Sequence, residues 1–314
     1  MRLEFLNDEL LSQLQSGAWK LVNGALIDTD GNLVGILQEA SGFASSVVDV
    51  TAFTGEPISL AFKLGQTGFS LYKQYNLNNL FGQVLLFGKA NLVLNSVGIG
   101  VSVIGFALVI RKLNQVNQNM QQVLDSVESL RTKVEARDMA TIESLLYQAE
   151  EAQHRQGMDS ILTDLIVKLD LEERYYRYQV QKIRTDSLSK MSDSTLQVFQ
   201  YLLELQQTLF STRLNLLFQL NDLKAAHMYL ENCQLWYQQQ FQSWSTLDVC
   251  LSRRHREEKI RCLEWIRIVE SNFITKGRLI DMLKEARIGG LKYMKTLERV
   301  TKSHPYQPLY ILRA

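Results

Sequence analysis

The residues of this chain that could do chemistry fall into a few short stretches, each testable against the spacing its chemistry requires. Asp28-Thr29-Asp30-Gly31-Asn32 crowds carboxylates and a carboxamide as a calcium loop does. A helix–loop–helix calcium site needs glycine at loop position six and glutamate at position twelve. Counted from Asp28, glycine falls at position four and Glu39 at twelve, so the stretch reads as a tight turn. Gly82–Gly88-Lys89 has the outline of a phosphate loop, but five residues separate its glycines instead of four. Ala90 also stands where a hydroxyl must reach magnesium. Gly98-Ile99-Gly100 lacks the third glycine of a dinucleotide fingerprint, Val103 taking its place, and Ser102 has no GxSxG frame. His154, His227, His255 and His304 are scattered, without HExxH or a second histidine at ligand spacing. Cys233, Cys250 and Cys262 form no CxxC, which fits reduced thiols and neither a zinc site nor a disulfide framework. The expectation is a protein that is not an enzyme and that needs no cofactor and no metal.

What the chain does display is a segment of membrane length. Ala90–Ile110, ANLVLNSVGIGVSVIGFALVI, is 21 residues without a charge, between Lys89 and Arg111-Lys112. As a helix it would reach about 30 Å, the thickness of a bilayer's hydrocarbon core. Asn91, Asn95, Gly98, Ser102 and Gly105 recur every three to four residues and share one helical face. Gly98/Ser102 has the small-xxx-small spacing that lets helices approach closely in lipid, and Ser96/Gly100 has it on the far side. Two asparagines in such a segment are costly unless they face a partner or water. Conditional insertion, as an alternative to a permanent span or a buried core helix, therefore suits the pattern.

The segment runs into a heptad seam. Leu113, Val116, Met120, Val123, Val127, Leu130 and Val134 step by three and four residues, the a/d spacing of a coiled coil. Proline occurs only at Pro57, Pro305 and Pro308, and Gly157 is the single glycine from 106 to 276. The span from 58 to 304 therefore reads as almost wholly helical. Helices are expected at about 140–156, 158–188, from a Ser192-Asp193 cap to about 240, at 244–273, and at 277–302 with an interruption at Gly289-Gly290. Leu3–Leu14 has the spacing of a short amphipathic helix. Leu21–Ile27 and Asn32–Leu37 flank the acidic turn as a hairpin, whose edge is expected to accept Leu309–Leu312 of the extended tail.

The fold class expected is mainly α: an elongated antiparallel helical bundle or coiled coil with an apolar head and a small N-terminal β-hairpin region. The regions are 1–57 with the hairpin, 58–110 as the glycine-containing apolar head, 111–302 as the long bundle and 303–314 as the tail. Net charge is +1, yet residues 250–302 carry 14 Lys/Arg against 7 Asp/Glu. Arg253, Arg254 and Arg256 form the densest basic run, a candidate contact for lipid or an acidic partner, while nucleic acid is not expected.

A glycine-containing apolar head, Ala90–Ile110, on long amphipathic helices running to about 302 resembles the organisation of α-helical pore-forming toxins of the haemolysin E and haemolysin BL class. The resemblance implies a soluble form that hides the head and an oligomer that inserts it. The function expected is a membrane-permeabilising effector, with membrane lipid, further copies of the chain and a second protein component as candidate partners. MRLEFLNDELLSQLQ lacks a signal-peptide layout, so synthesis in the cytosol and membrane association when active are expected. A membrane-anchored coiled-coil scaffold and a soluble helical adaptor are the alternatives.

Overall fold

The computed structural model describes residues 2–5, 12–13, 16–22, 25–39, 114, 116–125, 140–152, 158–245, 249, 256–303 and 309–313. Over these the protein is mainly α-helical with a small antiparallel sheet. The helices are α1 (Ala140–Ala152), α2 (Met158–Ile183), α3 (Asp193–Gln219), α4 (Leu223–Phe241), α5 (Arg256–Glu285) and α6 (Gly290–Ser303). Residues 116–125 are helical as well.

The sheet joins the two ends of the sequence. Strands β1 (Arg2–Phe5), β2 (Trp19–Val22), β3 (Ala25–Asp28), β4 (Leu33–Glu39) and β5 (Leu309–Arg313) lie in the order β1-β5-β4-β3-β2. The acidic turn connects β3 and β4 as expected. Asp28 Oδ1 accepts from the amides of Asp30 at 2.9 Å and Asn32 at 2.8 Å, and Gly31 takes φ 87°. The Asn32 amide, with Asp30 and Gly31, lowers the Asp28 pKa. That carboxylate is a turn acceptor. The tail also pairs as expected, Ile36 opposite Leu312 and Leu37 opposite Ile311.

Two expectations at this end are corrected. Leu21–Ile27 is not one strand: β2 and β3 pair antiparallel with Val22 opposite Ala25, and only β3 pairs with β4. Asn-Gly, which separates them in the sequence, is a strong two-residue hairpin signal, and it outranks the apolar run that spans it. Leu3–Leu14 is not a single helix either, because Arg2–Phe5 is a strand on β5. Long-range pairing overrides local helical periodicity there.

The helical part is corrected at two corners. The expected helix to about 240 stops at Gln219, and Leu223–Phe241 starts a second one. Asn221 adopts φ 60°; its amide donates to Phe218 O at 3.0 Å and the next, Asp222, to Leu217 O at 3.0 Å. This is a Schellman ending with asparagine in the left-handed position. Asp222 then caps α4, accepting from the Ala225 amide at 2.9 Å. At the other corner the expected break before Gly277 is absent, and α5 runs through it to Glu285. It ends on a second Schellman pattern, with Arg287 at φ 54° and Ile288 N–H donating to Leu283 O at 2.9 Å. The start of α6 at Gly290 matches the interruption expected at Gly289-Gly290.

The two corners interlock, which explains the paired glycines. A Cβ at Gly290 would lie 2.6 Å from Phe218 O and 2.9 Å from Phe218 Cα. One at Gly289 would lie 2.0 Å from Asn221 Oδ1, the far end of a side chain. Gly290→Ala is therefore expected to destabilise the fold by about 1–3 kcal/mol, because the obstacle is backbone. Gly289→Ala should lose less, since the carboxamide can rotate away. Equal losses in urea midpoint for the two variants would rule out backbone contact as the reason. Arg287→Gly should gain about 1 kcal/mol by relieving the left-handed conformation at an exposed side chain. A loss of stability would mean that the arginine side chain holds the corner.

The core is continuous from sheet to helices. Ile36 of β4, Val116, Met120 and Leu124 belong to one buried cluster with Leu145, Leu165, Leu203, Leu230, Ile266 and Leu297. Around α4 it is aromatic: Phe241 packs on Phe199, Trp236, Tyr237 and Trp244 with ring centroids 5.1–6.0 Å apart.

Candidate functional site

Helix α3 is the centre of the bundle, and the polar groups it carries define the site. Ser192 caps it, its Oγ accepting from the Thr195 amide at 3.3 Å. From Leu202 to Gln219 every residue except the half-buried Arg213 is buried. A helix enclosed on all sides is normally apolar all round. This one brings Glu204, Gln206, Gln207, Thr208, Ser211, Thr212, Asn215 and Gln219 inside. The threonines are satisfied locally, Thr208 donating to Glu204 O and Thr212 to Thr208 O at 2.8 Å each. Gln206 and Gln207 share the Tyr237 hydroxyl: Tyr237 donates to Gln206 Oε1 at 3.0 Å and Gln207 Nε2 donates to Tyr237 Oη at 2.6 Å.

One layer further along, α2, α3 and α4 meet in a buried ion cluster. Glu173 of α2, its side chain 2 % exposed, accepts from Arg177, from the Tyr229 hydroxyl of α4, and lies 3.7 Å from Arg213 Nη1 of α3. Arg213 also pairs with Asp170 and stacks on the Tyr229 ring at 4.2 Å. Arg177 donates to Cys233 Sγ at 2.9 Å and lies over the Trp236 ring at 5.2 Å. Two carboxylates thus meet two largely buried guanidiniums, and the exposed Arg174 pairs with Asp170 at 2.8 Å.

Burial and these neighbours decide the protonation states. Burial is the largest influence on Arg177 and works against its charge, but Glu173 with Cys233 and Tyr229 overcomes it, and the pKa is raised. The same contest at Arg213 ends the same way, through Tyr229, Glu173 and Asp170. Burial, reinforced by Glu173, pushes the Cys233 thiol and the Tyr229 phenol upward. Burial also pushes the second buried thiol, Cys262, up to about 12. Neither thiol is a nucleophile at neutral pH, because the thiolate is the reactive form.

What the layer does is fix register. Glu173 meets Tyr229, Arg177 meets Cys233 and Arg184 donates to Gln240 O, each pair 56 residues apart. The constant offset makes α2 and α4 run parallel, with α3 antiparallel between them. The end of α4 is gripped too: Arg267 of α5 donates to Phe241 O at 3.2 Å and Trp244 O at 2.7 Å. Guanidiniums on the last carbonyls of a helix offset its negative end.

The residues singled out from the sequence are placed unevenly. Val116 and Met120 are buried, Val123 packs half-buried on the same core, and Leu124, outside the expected seam, is buried beside it. Leu113, Val127, Leu130 and Val134 lie outside the described residues. So do Asn91, Asn95, Gly98, Gly100, Ser102 and Gly105, and Arg253 and Arg254; Arg256 is exposed at the first position of α5. No helix among the described residues is long and apolar enough to cross a membrane. Sequence reasoning missed the ion layer. Asp170, Glu173, Arg174 and Arg177 are spaced as an ordinary solvated i,i+4 array, and only the isolated Arg213 inside an otherwise uncharged stretch of α3 signalled an internal partner. No family model, no curated protein and no solved structure matches this chain.

Proposed function

We propose that the protein is a membrane-permeabilising effector of the α-helical pore-forming kind, held in a soluble form and inserting its apolar segment 90–110 as it oligomerises. The observation that carries the reading is the 21-residue uncharged segment with its stripe Asn91, Asn95, Gly98, Ser102 and Gly105. Such a stripe is too polar for a good permanent anchor and well suited to packing a ring of helices. The bundle supports it as a carrier. Val116 and Met120 sink into its core, so the chain is held within a few residues of Ile110. In this reading the protein acts by assembly with further copies and with lipid, without catalysis. The test is dye release from liposomes by the purified protein, together with its recovery in the vesicle fraction. Release that rises steeply with protein concentration is the expected result; binding without release favours the anchored scaffold, and neither favours the adaptor.

A further inference from the structure

Part of the basic excess of the C-terminal part lies on one face of α6. Tyr293, Met294 and Leu297 are buried, and Phe218 of α3 holds the Tyr293 ring at a centroid distance of 6.4 Å. Lys292, Lys295 and Arg299, spaced three and four apart, are exposed on the other side. They form a row about 10 Å long, and Lys302 continues the spacing in the sequence. Arg287 is exposed at the turn that precedes the helix, and Lys284, in the last turn of α5, pairs with Asp281 at 3.8 Å. Glu298 is the one acidic residue between Gly290 and Ser303. The backbone contact of Gly290 with Phe218 and the buried Tyr293 pin the helix, so the basic face cannot turn inward.

We propose that this face, Lys292, Lys295 and Arg299, is the surface by which the protein docks on an anionic lipid leaflet before the apolar segment acts. The proposal rests on the membrane reading above. Charge complementarity selects the occupant, since clustered basic side chains are drawn to a negatively charged membrane surface. Single-stranded nucleic acid is less well matched: Tyr293 is the one aromatic residue of α6, and it is buried, leaving no ring for a base to stack on. The apolar side of α6 is already covered, so docking is electrostatic and reversible by salt.

The experiment is sedimentation of the full chain with phosphatidylcholine vesicles, with and without phosphatidylserine, at low and high salt. The variants are Lys292→Gln/Lys295→Gln/Arg299→Gln and the charge-keeping Lys292→Arg/Lys295→Arg. Wild type is expected to prefer the phosphatidylserine vesicles and to leave them in high salt. The neutralised variant should lose about 100-fold in affinity, at about fivefold per basic residue, with an unchanged urea midpoint. The arginine variant should bind as wild type does. Equal binding of the neutralised variant overturns the proposal, as does indifference of the wild type to phosphatidylserine. Binding to a short RNA that depends on the basic row, with no vesicle binding, also overturns it. Dye release keeps the two readings apart. Release from vesicles lacking phosphatidylserine, unchanged by neutralising the basic row, overturns the docking face and leaves the permeabilising function standing. Vesicle binding that depends on the basic row but never releases dye does the reverse.

Discussion

Glu173→Leu is expected to lower the unfolding free energy by about 3–5 kcal/mol. The substitution takes from Arg177 its carboxylate partner, leaves Arg213 with Asp170 alone, and strands the buried Tyr229 hydroxyl. The loss is mainly the desolvation of groups left without a partner and only in small part the removed attraction. Glu173→Gln should fall between this variant and wild type, because it retains an acceptor for Tyr229 while giving up the charge. Urea denaturation measures both. A loss under about 1 kcal/mol for Glu173→Leu would mean that the cluster behaves like an exposed salt bridge, and the register role assigned to it would fail.

The Gly98→Leu/Gly105→Leu double variant should still bind liposomes but release little dye. Leucine is at least as favourable in lipid as glycine, so partition is kept, while the close approach of helices along the small stripe is blocked. A plain anchor should tolerate both changes. In a soluble core helix the same volume should overpack, with a loss of about 1–3 kcal/mol per site in the absence of any membrane. One variant thus separates the three functional readings, by dye release on one side and a urea midpoint on the other. Full release with unchanged stability would exclude the stripe-packed pore.

The fold was legible wherever a local feature settles a backbone conformation. Ser192-Asp193 announces a helix start, since its oxygens reach amides one turn on; Asp28-Gly31 announces a reversal; Gly289-Gly290 marks a corner. The α3–α4 corner was not legible in the same way. Asn221-Asp222 contains neither glycine nor proline, and asparagine merely tolerates the left-handed conformation that the corner requires. Gly277 misled in the opposite sense. A glycine in a helix interior costs only up to about 1 kcal/mol, which the burial of Phe273 and Leu279 to either side of it readily offsets.

By itself, then, the sequence determined the helical character of α1 to α6, the hairpin turn at Asp28, and the uncharged 21-residue segment with its small-residue spacing. Each of these follows from periodicity, capping or composition within a window of a few turns. Only the tertiary structure decided which polar residues are inside. Glu173 and Arg177 are written like the solvated Asp164 and Lys168 pair on the same helix, at the same i,i+4 spacing. Their difference lies in what stands opposite: Arg213 from α3 and Tyr229 from α4, brought there by two corners and a constant 56-residue offset. Likewise the run of arginines most visible in the sequence ends at an exposed Arg256, while the ordered basic row appears on α6, because burial of Tyr293, Met294 and Leu297 dictates which side of that helix faces out. Spacing along a chain fixes which side chains share a face; only packing fixes what that face meets.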